Sequence, residues 1–205
     1  MTQPTQKYQP TDDRKRAIAA AARSLIVEKG FEGLRTREIA DRVGINIATL
    51  HYHIPTKDAL IALVAQSMKD DFIAQHLRRP RAGLPPLEQL QIEIEYHRLT
   101  RRDNPELLLV MEEMGRRARH DESIARYINP MRAFWHQQIA EILQAGVADG
   151  TFRADIDPPS AAYLVIGTLI AGSVFRLDEW QSMDRPVAEL LRAILSDKAK
   201  AHSNV

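Results

Sequence analysis

The residues from Thr36 to Ile54, TREIADRVGINIATLHYHI, hold the side chains best suited to recognition chemistry. Thr49, His51, Tyr52 and His53 can donate or accept hydrogen bonds at base edges and phosphates, and Ile47 or Ala48 can meet a thymine methyl. Asn46 and Thr36 stand at the fronts of two short apolar-periodic stretches and add further polar groups. Arg37 and Lys57 are cations in the first turns of expected helices, where each opposes the helix macrodipole. A phosphate or base edge in front of such a helix gives both the cation and the helix N-terminus a partner. The plainer alternative is local compensation by Glu38 and Asp58, with both bases simply solvated.

Such a set of side chains needs a rigid scaffold. Two short helices must cross steeply, so a small residue is needed where they meet, and Ala40 supplies it. The tight turn between them favours a residue free to take positive φ, and Gly44 sits four positions on. Ile39, Val43, Ile45 and Leu50 can pack the second helix on the first, which leaves its other face for a major groove. The expected order is a first helix over 11–29 ended by Gly30, a second after Thr36 as its N-cap, and a third from Asn46 to His53. A fourth follows the Thr56 cap and runs to the linker RRPRAGLPP at 78–86.

Residues 11–64 resemble the DNA-binding head of the tetracycline-repressor (TetR) family. The resemblance lies in EKGFEGL at the end of the first helix, then TREIADRVGI, then TLHYHIPTKDAL. The family run Thr-Leu-Tyr-x-x-Phe with a lysine three residues later appears as Thr49, Leu50, His51, Ile54 and Lys57, with His51 for the tyrosine and Ile54 for the phenylalanine. The resemblance implies an all-α fold with a three-helix helix-turn-helix head joined by a long helix to a helical body. It implies a head over 1–56 and a ligand-binding and dimerisation body over 57–205. It further implies a homodimer on a near-palindromic operator, most simply a repressor, released by a small organic effector.

The body reads as five more helices: roughly 87–102, one from Pro105, 121–148 with an interruption or kink at Pro130, one from Pro158, and one from Asp184. The stretch AAYLVIGTLIAGSVF is apolar nearly all round, and Val187, Leu190, Leu191, Ile194 and Leu195 follow helical spacing. An unpaired stripe on the last helix points to dimerisation through helices eight and nine, the alternative being cover within one subunit. Met68, Phe72, Tyr96, His97, Met111, Met114, Trp135, Gln138, Tyr163 and Phe175 are the expected effector-lining residues, with Arg98 and Glu112 as further polar candidates.

Other chemistries find little support. The chain has 205 residues and no cysteine, which excludes disulfides, thiolate zinc sites and a thiol nucleophile and suits a cytoplasmic protein. His51 and His53 are two apart on a helix and do not form a chelating pair. There is no HExxH, GxSxG or P-loop pattern, so neither an enzyme nor a cofactor is expected. The longest apolar run, 161–175, is too short for a membrane span, and Met1 to Pro10 is polar, without the apolar core of a secretory signal. Residues 1–60 hold ten Lys and Arg against seven Asp and Glu, a mildly basic head on a mildly acidic remainder. Two alternatives stay open: a DNA-binding regulator without a small effector, and an enzyme or binding protein on the same scaffold.

Overall fold

The computed structural model describes residues 10–174 and 183–202, nearly all of them in helices. These are α1 Pro10–Lys29, α2 Thr36–Val43, α3 Ile47–His53, α4 Lys57–Arg78, α5 Pro86–Asp103, α6 Pro105–Arg117, α7 Glu122–Ala148, α8 Pro158–Val174, α9 Asp184–Ile194 and α10 Asp197–His202. A short 3-10 turn, Phe31–Gly33, follows α1. The fold class is the all-α one expected. The residues divide into two compact units.

The first unit holds the described residues up to Asp71 together with Leu109–Ile128. It therefore takes in more than the segment 1–56: most of α4 and the corner between α6 and α7 belong to it. Ile18, Ala22, Leu25 and Ile26 line the buried face of α1 at helical spacing. Ile39 and Ala40 bury the inner face of α2, and Leu50 that of α3. Val110, Met114, Ile124, Ala125 and Ile128 supply buried apolar residues from the corner. Ion pairs reach across this unit, from Arg117 to Glu32 at 2.8 Å and from Arg126 to Asp58. Such exposed pairs contribute little individually, about 0–1 kcal/mol each, so burial carries most of the stability.

The second unit comprises Phe72–Leu108 and the described residues from Asn129 on. Its core gathers Leu90 from α5, Ile139, Ile142 and Leu143 from α7, Ala162, Val165 and Leu169 from α8, and Leu190, Leu191 and Ile194 from α9. Phe152, in the turn after α7, is 1% exposed and lies over Gly146, where an added Cβ would meet its ring at 2.2 Å. The turn pairs with the end of α9 through an isolated β-bridge between Phe152 and Leu195. Arg153 N donates to Ile194 O at 2.9 Å and Ser196 N to Thr151 O at 3.0 Å.

Three expectations need correction, and one helix was unforeseen. Thr36 is the first residue of α2 and not its cap: Arg35, extended at φ −107°, holds that position without a side-chain hydrogen bond. A Thr hydroxyl inside the first turn has no orphan amide in front of it to accept. Pro130 does not interrupt α7, which is continuous from Glu122 to Ala148. Proline removes one backbone donor but leaves the i→i−4 bonds on either side. The stripe on α9 is not unpaired: Leu190 is 8% and Ile194 2% exposed within the single chain. Among the large apolar residues left outside, three are on α8, Tyr163 at 67%, Leu164 at 62% and Ile170 at 42%, with Leu77 on α4 and Phe134 on α7 exposed as well. Finally, α10 was not anticipated, because a six-residue polar segment carries no helical period to detect.

Candidate nucleic-acid interface

Two local devices fix the pose of α3. Gly44 ends α2 in the left-handed conformation, φ 70° and ψ 36°, with its N–H donating to Asp41 O at 3.2 Å and the Ile45 N–H to Ala40 O at 3.0 Å. This is the paired closure of a helix end that glycine adopts without steric cost. An added Cβ at Gly44 would meet nothing within 4 Å, so backbone conformation, and not crowding, calls for glycine there. Asn46 then caps α3, its Oδ1 accepting from the Thr49 N–H at 2.7 Å. Thr56 caps α4 in the same way, its Oγ1 accepting from Ala59 N at 3.0 Å. Each cap contributes about 1 kcal/mol to its helix.

Ion pairs brace the back of the motif. Arg42 on α2 makes a two-pronged contact with Glu28 on α1, at 2.8 and 2.5 Å, and also reaches Ser24 at 3.2 Å. The Arg42 guanidinium, helped by the Ser24 hydroxyl, holds the Glu28 carboxyl down to about 2. Lys29 meets Glu38 at 2.5 Å. Glu38 thus has a partner on α1, so compensation of Arg37 is not its sole role.

With the scaffold set, the front of α3 stands open. Ile47 is 40% and Tyr52 83% exposed, and Ala48 and His51 are exposed too. Thr49 and His53 are half-buried, and the His53 ring meets Tyr52 edge-on at 5.2 Å. Exposed tyrosine on a short helix has no folding purpose, since its ring gains nothing by staying in water. Thr36, Arg37 and Lys57 are exposed as well. A surface hollow of about 510 Å³ lies between the fronts of α2 and α3, lined by Arg35, Thr36, Arg37, Glu38, Asp41 and Ile47. Arg35 is exposed at its edge and escaped the reading of the sequence, which looked for helical cations and not for one at a cap. The alternation Arg35-Thr36-Arg37 was the available signal.

The expected effector residues fall into both units. Met68 and Met114 are fully buried in the first, and Met111 is half-buried there. Phe72, Tyr96, His97, Trp135, Gln138 and Tyr163 belong to the second. There the His97 and Trp135 rings lie parallel, centroids 6.3 Å apart. Burial, with Arg101 adding to it, pushes the His97 imidazole down to about 4. Tyr163 is exposed, its ring 4.1 Å from His136. Phe175 lies outside the described residues. Among those described, no group of three or more His, Asp or Glu side chains could hold a metal ion. Nor is any helix of theirs long and apolar enough to cross a membrane.

A braced pair of short helices presenting one open polar face defines a helix-turn-helix DNA-binding protein. Residues 18–64 match the model of the bacterial regulatory proteins of the tetR family. Over 203 residues the chain is 22% identical to the HTH-type transcriptional repressor KstR2 of Rhodococcus jostii, covering 95% of this chain and 98% of that one. Among solved structures, a transcriptional regulator from Saccharomonospora viridis, in complex with choline, superposes with a TM-score of 0.77 at 24% identity, over 90% of this chain and 99% of that one. AibR in complex with isovaleryl coenzyme A and operator DNA gives 0.68 at 24% identity, over 78% and 85%. Residues 18–64 are thus a DNA-binding head of the tetR-family type, and the chain as a whole shares the fold of these regulators.

Proposed function

We propose that this regulator is a cytoplasmic repressor without catalytic activity. It binds a near-palindromic operator as a homodimer and leaves it when a small organic effector occupies the helical body. The observation that carries the DNA-binding half is the open face of α3, with Tyr52 83% exposed behind a cap and a glycine turn that fix the helix. Thr36, Arg37, Asn46, Ile47, Ala48, Thr49, His51, Tyr52, His53 and Lys57 form the contact set, with Arg35 added at the rim. Asn46 Oδ1 is occupied by its cap, so its part is to orient α3. The working boundary between head and body is at residue 56/57, although α4 itself runs without a break from Lys57 to Arg78.

Repression is supported by the name of the KstR2 relative, and effector control by the ligands of the two solved neighbours, choline and isovaleryl coenzyme A. Dimerisation through α8 is supported by its outward Tyr163, Leu164 and Ile170. A helix in water does not otherwise keep three large apolar residues exposed on neighbouring turns. The experiment is selection of bound genomic fragments with the purified protein, followed by titration of the selected operator with candidate effectors drawn from the adjacent genes. An inverted repeat with half-sites about one turn apart, roughly 34–36 Å, is expected. An effector that weakens operator binding must itself be weakened by operator to the same factor. Single, unrepeated half-sites among the selected fragments overturn the dimeric reading.

A further inference from the structure

Carboxylates are almost never fully buried unless paired. Glu93, in the middle of α5, is 4% exposed. Its ion-pair partner is Arg81, whose side chain is itself only 13% exposed. Arg81 is not on a helix. It lies between the end of α4 at Arg78 and the start of α5 at Pro86, where Arg79, Pro80, Ala82, Gly83 and Pro85 are all exposed. Gly83 there takes φ 80°. A guanidinium therefore enters the interior from a connection whose other residues are exposed, the half-buried Leu84 apart.

The groups that meet it are those of a cation receptor. Besides Glu93, Gln138 Oε1 on α7 accepts from Arg81 Nη2 at 2.8 Å. Gln138 in turn donates to Glu141 at 3.3 Å, and the Glu141 charge acts on Arg81, as does Tyr96. His76 Nε2 lies 3.2 Å from Glu93 Oε1, and its ring packs edge-on to Tyr96 at 4.9 Å. The Tyr96 hydroxyl donates to the Arg79 carbonyl, and the exposed Arg79 adds one positive charge nearby. Burial lowers the Arg81 pKa against the pull of Tyr96 and Glu141, so the guanidinium is held at a cost in solvation.

If the pair opens, the partner that moves is the one on the linker, because Glu93 is fixed mid-helix. A buried carboxylate left alone is strongly unfavourable and calls for another cation. We propose that this recess is a receptor for a ligand with a planar guanidinium or amidinium head, and that Arg81 is its tethered occupant, displaced when such a ligand binds. Planar heads match a carboxylate and an amide oxygen better than a compact ammonium does. That such a ligand is the effector rests on the function proposed above; that the recess binds the head does not.

The test uses full-length Arg81→Ala protein and N-ethylguanidinium, which restores the atoms removed, with N-ethylurea as the neutral control. The variant should melt on the order of 10 °C below wild type. Millimolar N-ethylguanidinium should raise its Tm saturably, with one site by calorimetry, and N-ethylurea should not. The Arg81→Ala/Glu93→Gln double variant should lose the response, and wild type should bind at least tenfold more weakly because the tether competes. Equal effects of the two compounds, no saturable response, or full binding by the double variant overturn the receptor. Should Arg81→Ala not fold, wild-type amide exchange decides: amides 79–85 should exchange faster with N-ethylguanidinium, and an unchanged rate overturns displacement. Operator affinity followed in the same titration separates the two readings, since saturable binding without loss of operator affinity overturns the effector role alone.

Discussion

Lys57 follows the Thr56 cap at the front of α4 with its ammonium exposed, beside Asp58, which is already paired to Arg126. As a phosphate contact it should act on every DNA sequence alike. Lys57→Ala should weaken operator and random DNA by the same factor and reduce the salt slope of log K by about one unit. A loss confined to the operator would make it a base contact instead. A second residue reports on pH. Burial and Arg101 place the folded His97 at about 4, below its ordinary 6.5. Between those values the unfolded chain binds a proton that the folded one refuses. Stability is therefore fully present above about 6.5 and is lost as pH falls towards 4, by roughly 3 kcal/mol at most. His97→Gln should flatten the dependence of Tm on pH between 7 and 4.5, and an unchanged slope would show that other groups carry it.

The outer face of α8 and the inner face of α9 make opposite predictions. Leu164→Glu should leave the fold intact, its side chain being 62% exposed in the single chain, and should give monomers by sedimentation with operator affinity lost. Leu190→Glu places a charge in the core of the second unit and should unfold the chain, seen as loss of the cooperative melt. If Leu164→Glu stays dimeric, the interface lies elsewhere. The contrast also marks what could be read from sequence. The periodicity of α9 is plain, but a stripe looks the same whether its partner is α8 of the same chain or of another. Three of the caps and turns, Gly44, Asn46 and Thr56, were legible because their chemistry is local and acts within three or four residues, whereas the cap expected at Thr36 falls one residue earlier, at Arg35. The Arg81–Glu93 pair was not, because its members come from a linker and a helix and meet only through packing. Met68 and Met114, effector candidates by residue type, are both buried in the first unit, and residue type alone does not separate core from ligand lining.

At the scale of the whole molecule, the two units are joined by three continuous helices, since α4, α6 and α7 each contribute residues to both. Any influence of the body on DNA binding has these helices as covalent routes, and a ligand acts through them only if it binds one arrangement more tightly than another. The division in α7 falls between Ile128 and Asn129, and Pro130 is the neighbouring residue. Proline offers no amide proton, so the carbonyl of Arg126 loses its usual donor at that point. The helix is geometrically whole but has a seam where cooperative opening can stop. Deuterium should then enter α7 in two blocks, Glu122–Ile128 at the rate of the first unit and the stretch after Pro130 at that of the second. Pro130→Ala should merge the blocks, and a single rate along wild-type α7 would exclude the seam. If the two blocks are seen, a proline lets one helix belong to two separately opening units, and fraying in one need not spread along the backbone into the other.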